Sequence, residues 1–119
     1  MPQTTAQPGI SAFFPAYNDG GTIASMVAAA WIALNQVTDD YEIIVVNDGS
    51  SDYTATMLNE ISVRYPELRV ITHPSNQGYG AALRSGFERA QHEWIFYTDS
   101  DGQFDLEELP RLLALLGRY

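Results

Sequence analysis

The 119-residue chain contains no cysteine. Disulfides, thiolate metal sites and cysteine nucleophiles are therefore excluded. Cations are scarce: Lys plus Arg number 6 against 15 Asp plus Glu, a net charge of −9. A nucleic-acid backbone is bound through a surplus of cations, and an anionic membrane surface through a basic patch. The charge balance argues against both. No stretch approaches the roughly 18 consecutive apolar residues of a membrane span. The longest apolar-rich run, Ile23 to Leu34, is broken by Ser25 and reads as an amphipathic helix. The opening MPQTTAQPG has neither a basic region nor an apolar core, so it is not a secretory signal. Residues 1–9 read as a flexible leader. Internal repeats, low-complexity tracts and long linkers are absent too. The length leaves room for one domain of about 150 residues or fewer.

What is present is an ordinary globular composition, 45% hydrophobic and 18% charged, which excludes wholesale disorder. Short apolar runs alternate with segments of helical period. Ile10–Tyr17, Glu42–Asn47, Leu68–Thr72 and Trp94–Thr98 read as strands, and EIIVVN is apolar on both faces. Ile23, Met26, Val27, Ala30, Trp31 and Leu34 follow helical spacing, as do Tyr79, Ala82, Leu83, Gly86, Phe87 and Ala90. Thr54–Tyr65 is a third helix, starting from Ser51 or Asp52 and stopped by Pro66; Asp105 with Glu108 resembles a capping box for a fourth. Trp31, Trp94, Phe87 and the leucines after residue 106 read as core. The fold class is α/β: an open, mostly parallel, Rossmann-like sheet with helices on both faces.

In such a sheet ligands collect at the carboxyl ends of the strands. Each predicted end carries polar, Gly-rich sequence: PAYNDGG, NDGSSD, HPSNQGYG and DSDGQ. Asp99-Ser100-Asp101 is the sharpest feature, because two carboxylates one residue apart suit a hard divalent cation. An acidic protein that binds a diphosphate needs such a cation between the two negative partners. An EF-hand register fails, with Gly102 at position four and Pro110 at position twelve. A haloacid-dehalogenase reading fails because Gln103 follows the acidic pair and the strand is the fourth. Gly78-x-Gly80 opening a helix can offer N–H groups to phosphate, but Leu83 breaks a dinucleotide fingerprint, and no Walker A sequence occurs. His92 lies on the opposite edge and reads as surface. His73 lies on the right edge but before Pro74, and reads as structural. Ser50 and Ser51 have no partner base, so a nucleophilic triad is not indicated.

Together PAYND, VVNDGSSDYT at Val45–Thr54, NQGYGAALRSGF at Asn76–Phe87 and YTDSDGQFD at Tyr97–Asp105 resemble the inverting family 2 glycosyltransferases of GT-A fold. The last motif is especially similar to dolichyl- or polyprenyl-phosphate sugar transferases. The resemblance covers nearly all of Ile10 to Leu116. It implies that Pro15 and Tyr17 frame the nucleotide base, with Asp19 where a Glu is common. Asp48 would bond the base or ribose, and Asp99 the ribose or diphosphate. Asp101, with Gln103, would hold Mg²⁺ or Mn²⁺, and Gly78 and Arg84 would line the donor pocket. The implied reaction transfers a sugar from a nucleoside-diphosphate sugar to a polyprenyl phosphate. Residues 10–119 then read as the donor-binding part of a domain truncated at its C-terminus, inactive alone and prone to self-association. No general base is expected in this chain. The expected location is cytoplasmic, with the full-length parent at the cytoplasmic membrane face. Two other readings stand beside this one: a non-catalytic nucleotide- or metal-binding module, and an acidic α/β interaction domain.

Overall fold

A computed structural model describes residues 9–18, 20–36, 38–92 and 94–97. The alternating pattern becomes β1 (Ile10–Ala16), α1 (Ile23–Asn35), β2 (Tyr41–Asp48), α2 (Thr54–Ser62), β3 (Leu68–His73), α3 (Tyr79–Arg89) and β4 (Trp94–Tyr97). The expected helix from Asp105 lies outside the described residues. All described pairings are parallel, in the order β3-β2-β1-β4. The chain builds outward from β1 to β2 to β3, then returns over the sheet to place β4 on the other side of β1. Right-handed crossovers in opposite directions leave their helices on opposite faces.

Side-chain alternation confirms that division. Ile10, Ala12, Phe14, Ile43, Val45 and Leu68 join one core with α1 and α2. Phe13, Ile44 and Val46 join a second with Ala82 of α3. Strand β2 is buried along its whole length because it has neighbours on both edges and helices on both faces. That explains its unbroken apolar middle. Its polar residues are Glu42 and Asp48, toward its two ends on the α3 face, and Asn47, which accepts the Ser50 N–H. Glu42 Oε2 accepts the Gln91 N–H at 2.7 Å, just past α3. Asp48 accepts the N–H groups of Gln77 and Gly78, just before α3. Helix α3 is thus tied to β2 by a carboxylate at each end and by apolar contact between them.

Two aromatics expected in the core lie at its rim. Trp31 is 39% and Phe87 44% exposed. Periodicity gave their face correctly, but small residues sit at its centre. Ala33 rather than Trp31 completes the buried stripe of α1, and Trp31 packs edge-on against Tyr65 at 5.8 Å. Phe87 meets Phe13 edge-on at 5.0 Å while Ala82 and Gly86 face the sheet. The side chain of Trp94 lies outside the described residues.

Gly86 sets how closely α3 approaches. A Cβ there would lie 2.3 Å from two ring carbons of the fully buried Phe13. Helix propensity alone favours Gly→Ala by about 1 kcal/mol. Overpacking costs about 1–3 kcal/mol, so Gly86→Ala is expected to destabilise on balance. Phe13→Leu in the same chain should recover part of the loss. Thermal melts of the single and double variants test this, and a G86A protein more stable than wild type would show that α3 is not seated on Phe13.

Candidate functional site

The carboxyl ends of β1, β2 and β3 open on one edge, and their loops are sewn together. Asn18, just past β1, has a left-handed backbone (φ 54°), a conformation Asn tolerates better than most residues. Its side-chain oxygen accepts the N–H of Ser51 at 2.8 Å and of Asp52 at 3.2 Å. Its own N–H donates to Ser50 Oγ at 2.9 Å. Asp52 returns the link: Oδ2 accepts the Gly20 N–H at 3.2 Å, and Oδ1 accepts the Thr54 N–H at 2.9 Å and the Thr54 hydroxyl. The Thr54 hydroxyl is the largest influence on the Asp52 carboxyl; desolvation opposes it, and the Thr54 and Gly20 N–H groups help it hold the carboxyl below its ordinary range. Asn18 did not stand out in the sequence, and Asp52 was read only as a candidate start of the third helix. Their signal was the Asn-Asp-Gly-Gly run after one strand facing Ser-Ser-Asp after its neighbour.

The third loop is joined through Asp48 and Gly49. Gly49 is left-handed (φ 70°), and a Cβ on it would lie 2.3 Å from both Asn76 N and Ser75 C. The β3–α3 loop therefore passes directly over it. Asp48 is buried, and its carboxylate turns into that loop. Oδ1 accepts Gln77 N–H at 2.9 Å, and Oδ2 accepts Gly78 N–H at 3.0 Å. His73, its register partner at the end of β3, places Nδ1 at 2.8 Å from Oδ1. Burial alone would raise the Asp48 pKa, but the donors from Gln77, His73 and Gly78 outweigh it and hold the carboxyl below its ordinary range. The far nitrogen of His73, Nε2, lies 2.8 Å from Ser85 Oγ on α3.

Two of the expected donor-site residues have partners within the chain. Asp48 was expected on a base or ribose; in this structure three of its own chain's donors converge on it. Gly78 was expected to offer its N–H to phosphate; that N–H is given to Asp48. His73, read as structural from its neighbour Pro74, is the hub of the cluster. The signal that could have found it is its register: Asp48 and His73 end adjacent strands. Pro15 is half-buried and Tyr17 is 48% exposed, both at the carboxyl end of β1. Arg84 is exposed on α3. Asp19, Asp99, Asp101 and Gln103 lie outside the described residues. Strand β4 runs beside β1, with Tyr97 opposite Phe13.

His92 lies on the opposite edge as expected, but within a polar cluster rather than free on the surface. Its Nδ1 is 3.1 Å from Ser11 Oγ and its Nε2 3.0 Å from Asp40 Oδ1; Ser11 in turn donates to Glu42 at 2.7 Å. Among the described residues no three His, Cys, Asp or Glu side chains are grouped to hold a metal. Among them also, no helix is long and apolar enough to cross a membrane.

Residues 11–119 match the family described as Glycosyl transferase family 2. The chain is similar to a dolichyl-phosphate beta-glucosyltransferase of Trichomonas vaginalis, 34% identical over 103 residues, 82% of this chain and 31% of that protein. An undecaprenyl-phosphate 4-deoxy-4-formamido-L-arabinose transferase of Pseudomonas fluorescens is 36% identical over 107 residues, 88% of this chain and 31% of that protein. Among solved structures, glucosyl-3-phosphoglycerate synthase of Mycobacterium tuberculosis, in complex with Mn²⁺, UDP and phosphoglyceric acid, is similar with a TM-score of 0.70. It is 25% identical, over 92% of this chain and 39% of that one. The chain spans 31% of the length of each of the two curated relatives.

Proposed function

The chain belongs to glycosyl transferase family 2, and from that premise we propose that it is the donor-binding part of an inverting sugar transferase. Its fold is the nucleotide-binding half of the GT-A architecture. The donor in this reading is a nucleoside-diphosphate sugar, and the acceptor, in the full-length protein, a polyprenyl phosphate. The observation that carries the reading is the platform at the carboxyl edge, where Asn18, Asp52, Asp48 and Gly49 lock three loops beside β4. A preorganised edge of this kind can hold a flexible diphosphate without ordering loops at the moment of binding.

The roles follow from chemistry at each position. The exposed ring of Tyr17 and the fixed Pro15 frame the base, with Asp19 and Asp99 bonding the nucleotide. Asp48 and Gly78 act on the donor as a pair, through the wall of the pocket they hold in shape, and Arg84 attracts its negative charge. The carboxylate of Asp101 and the amide oxygen of Gln103 are hard donors, which suits Mg²⁺ or Mn²⁺. A cation held there would supply positive charge to offset that of the departing diphosphate. A polyprenyl phosphate is already anionic at neutral pH, so it attacks without a general base from this chain. The parent of this chain works at the cytoplasmic face of a membrane.

Asp101→Asn removes charge but little volume. It is expected to abolish Mn²⁺-dependent binding of UDP or GDP while leaving the melting temperature within a few degrees. Calorimetry with and without Mn²⁺ reads the effect. Equal affinity of wild type and variant would sink the metal assignment, and metal-independent silence toward both nucleotides would favour an interaction domain instead.

A further inference from the structure

We propose that His73 and Ser85 are positioning residues for the donor site, setting the β3–α3 loop through Asp48; the donor part of this inference rests on the function proposed above. Ser85, His73 and Asp48 form one hydrogen-bonded chain from the middle of α3 to two N–H groups of the loop. Ser85 Oγ lies 2.8 Å from His73 Nε2, and His73 Nδ1 lies 2.8 Å from Asp48 Oδ1. Asp48 then receives Gln77 N–H at 2.9 Å and Gly78 N–H at 3.0 Å.

Donor and acceptor roles are fixed at the Asp48 end of this chain. An ionised carboxylate only accepts, so His73 Nδ1 must carry a proton. In the neutral ring Nε2 is then an acceptor, and the Ser85 hydroxyl is its donor. Each member fixes the next, and the ring has no freedom to flip. His73 and Asp48 are 8% and 4% exposed, so water does not readily replace either partner. A buried donor or acceptor left without its partner is costly, which favours keeping the Asp48–His73 link intact.

The connectivity is that of a nucleophilic triad, but the surroundings are not. Ser85 sits inside α3, where its own N–H and those around it are used in the helix. Asp48 directs its other bonds to backbone N–H groups of a loop. That loop passes over Gly49, whose neighbours Ser51 and Asp52 are bound to Asn18. The chain therefore transmits the position of α3 to the third loop of the platform. Without it, loop 75–78 would have to be ordered by the donor, and affinity would fall.

Two amide substitutions separate this role from simple filling of space. The side-chain amide of Asn reaches the place of Nδ1, and that of Gln the place of Nε2. His73→Asn keeps a donor for Asp48; His73→Gln keeps a partner for Ser85 but releases Asp48. In H73Q the Gln77 and Gly78 amides should exchange hydrogen about tenfold faster, and Mn²⁺-dependent UDP or GDP binding should weaken about three- to tenfold, as for one lost hydrogen bond. H73N, which keeps the donor for Asp48 but loses the Ser85 contact, should accelerate both amides no more than about threefold, as Ser85→Ala does, with near-wild-type affinity. Ser85→Ala, the mildest change and a check should H73Q fail to fold, should accelerate the same two amides about threefold. Unchanged exchange at Gln77 and Gly78 in both H73Q and S85A overturns the inference. Equal losses in H73N and H73Q overturn it also, because ring volume alone would then matter. If wild type binds neither nucleotide, the donor reading fails, while the amide exchange still decides whether His73 sets the loop.

Discussion

Gly49→Ala is expected to lower the melting temperature by about 12 °C or more. Two effects add. The left-handed backbone at φ 70° costs a residue with a Cβ about 1–2 kcal/mol. The new Cβ would stand 2.3 Å from Asn76 N and Ser75 C, and backbone atoms cannot swing aside as a side-chain tip can. The loop must lift, and lifting it strains the bonds from Gln77 and Gly78 to Asp48. A hydrogen bond to a charged group is worth about 1.5–3 kcal/mol, so losing one alone brings the sum to about 3 kcal/mol or more. Each kcal/mol moves the midpoint of a domain near this size by about 4 °C. Gly49→Asn separates the two effects, since Asn tolerates the left-handed backbone but carries the same Cβ. If G49A melts within about 2 °C of wild type, the loop does not lie over Gly49.

Asp48→Asn is expected to cost about 1–3 kcal/mol near neutral pH, the usual penalty for leaving a buried hydrogen-bonding group without its partner. Gln77 N–H, Gly78 N–H and His73 converge on this carboxylate, and an amide must turn its NH₂ toward at least one of them. The pH dependence has a definite sign. The folded-state pKa of Asp48 lies below the ordinary 3.8, so the unfolded chain binds the proton more readily. The stabilisation is complete above the unfolded value and is lost as pH falls through the folded one. Wild type should therefore lose its advantage over D48N only in acid, below about pH 4. Urea unfolding of both proteins from pH 3 to pH 7 measures the gap. A gap that stays constant down to pH 3 would mean that Asp48 is not held ionised by its partners.

Much of the architecture was legible in the sequence because it depends on local period. Four apolar runs and the stripes between them placed strands and helices to within three residues, the largest miss being the end of α2 at Ser62 rather than Tyr65, and the order implied a parallel sheet. The apolar run of β2 even announced burial on both faces. The site was legible only as a set of loop ends. Asp48 was recognisable as a residue of the binding edge, but its orientation depends on partners 25 to 30 positions later, which no local pattern encodes. His73 looked unpromising because Pro74 follows it, yet the proline leaves the ring untouched and the register of β3 decides its contacts. Trp31 and Phe87 misled for a related reason. Period tells which face a side chain shares, while the closeness of approach is set by small residues such as Ala33 and Gly86, whose weak hydrophobicity makes them easy to overlook.

The carboxylates at the two ends of β2 act on α3 as a gauge acts on a machined part. From Glu42 to Asp48 the strand spans about 20 Å. The 11 residues of α3 span about 16 Å, and the loop N–H groups at Gln77, Gly78 and Gln91 make up the difference. One residue added inside the helix would advance everything after it by about 1.5 Å and turn it by about 100°. Gly86 would swing off Phe13, and Gln91 would miss Glu42. Length variation in this part of the chain therefore has to fall in surface turns beyond the two tethers, and α3 is confined to one length.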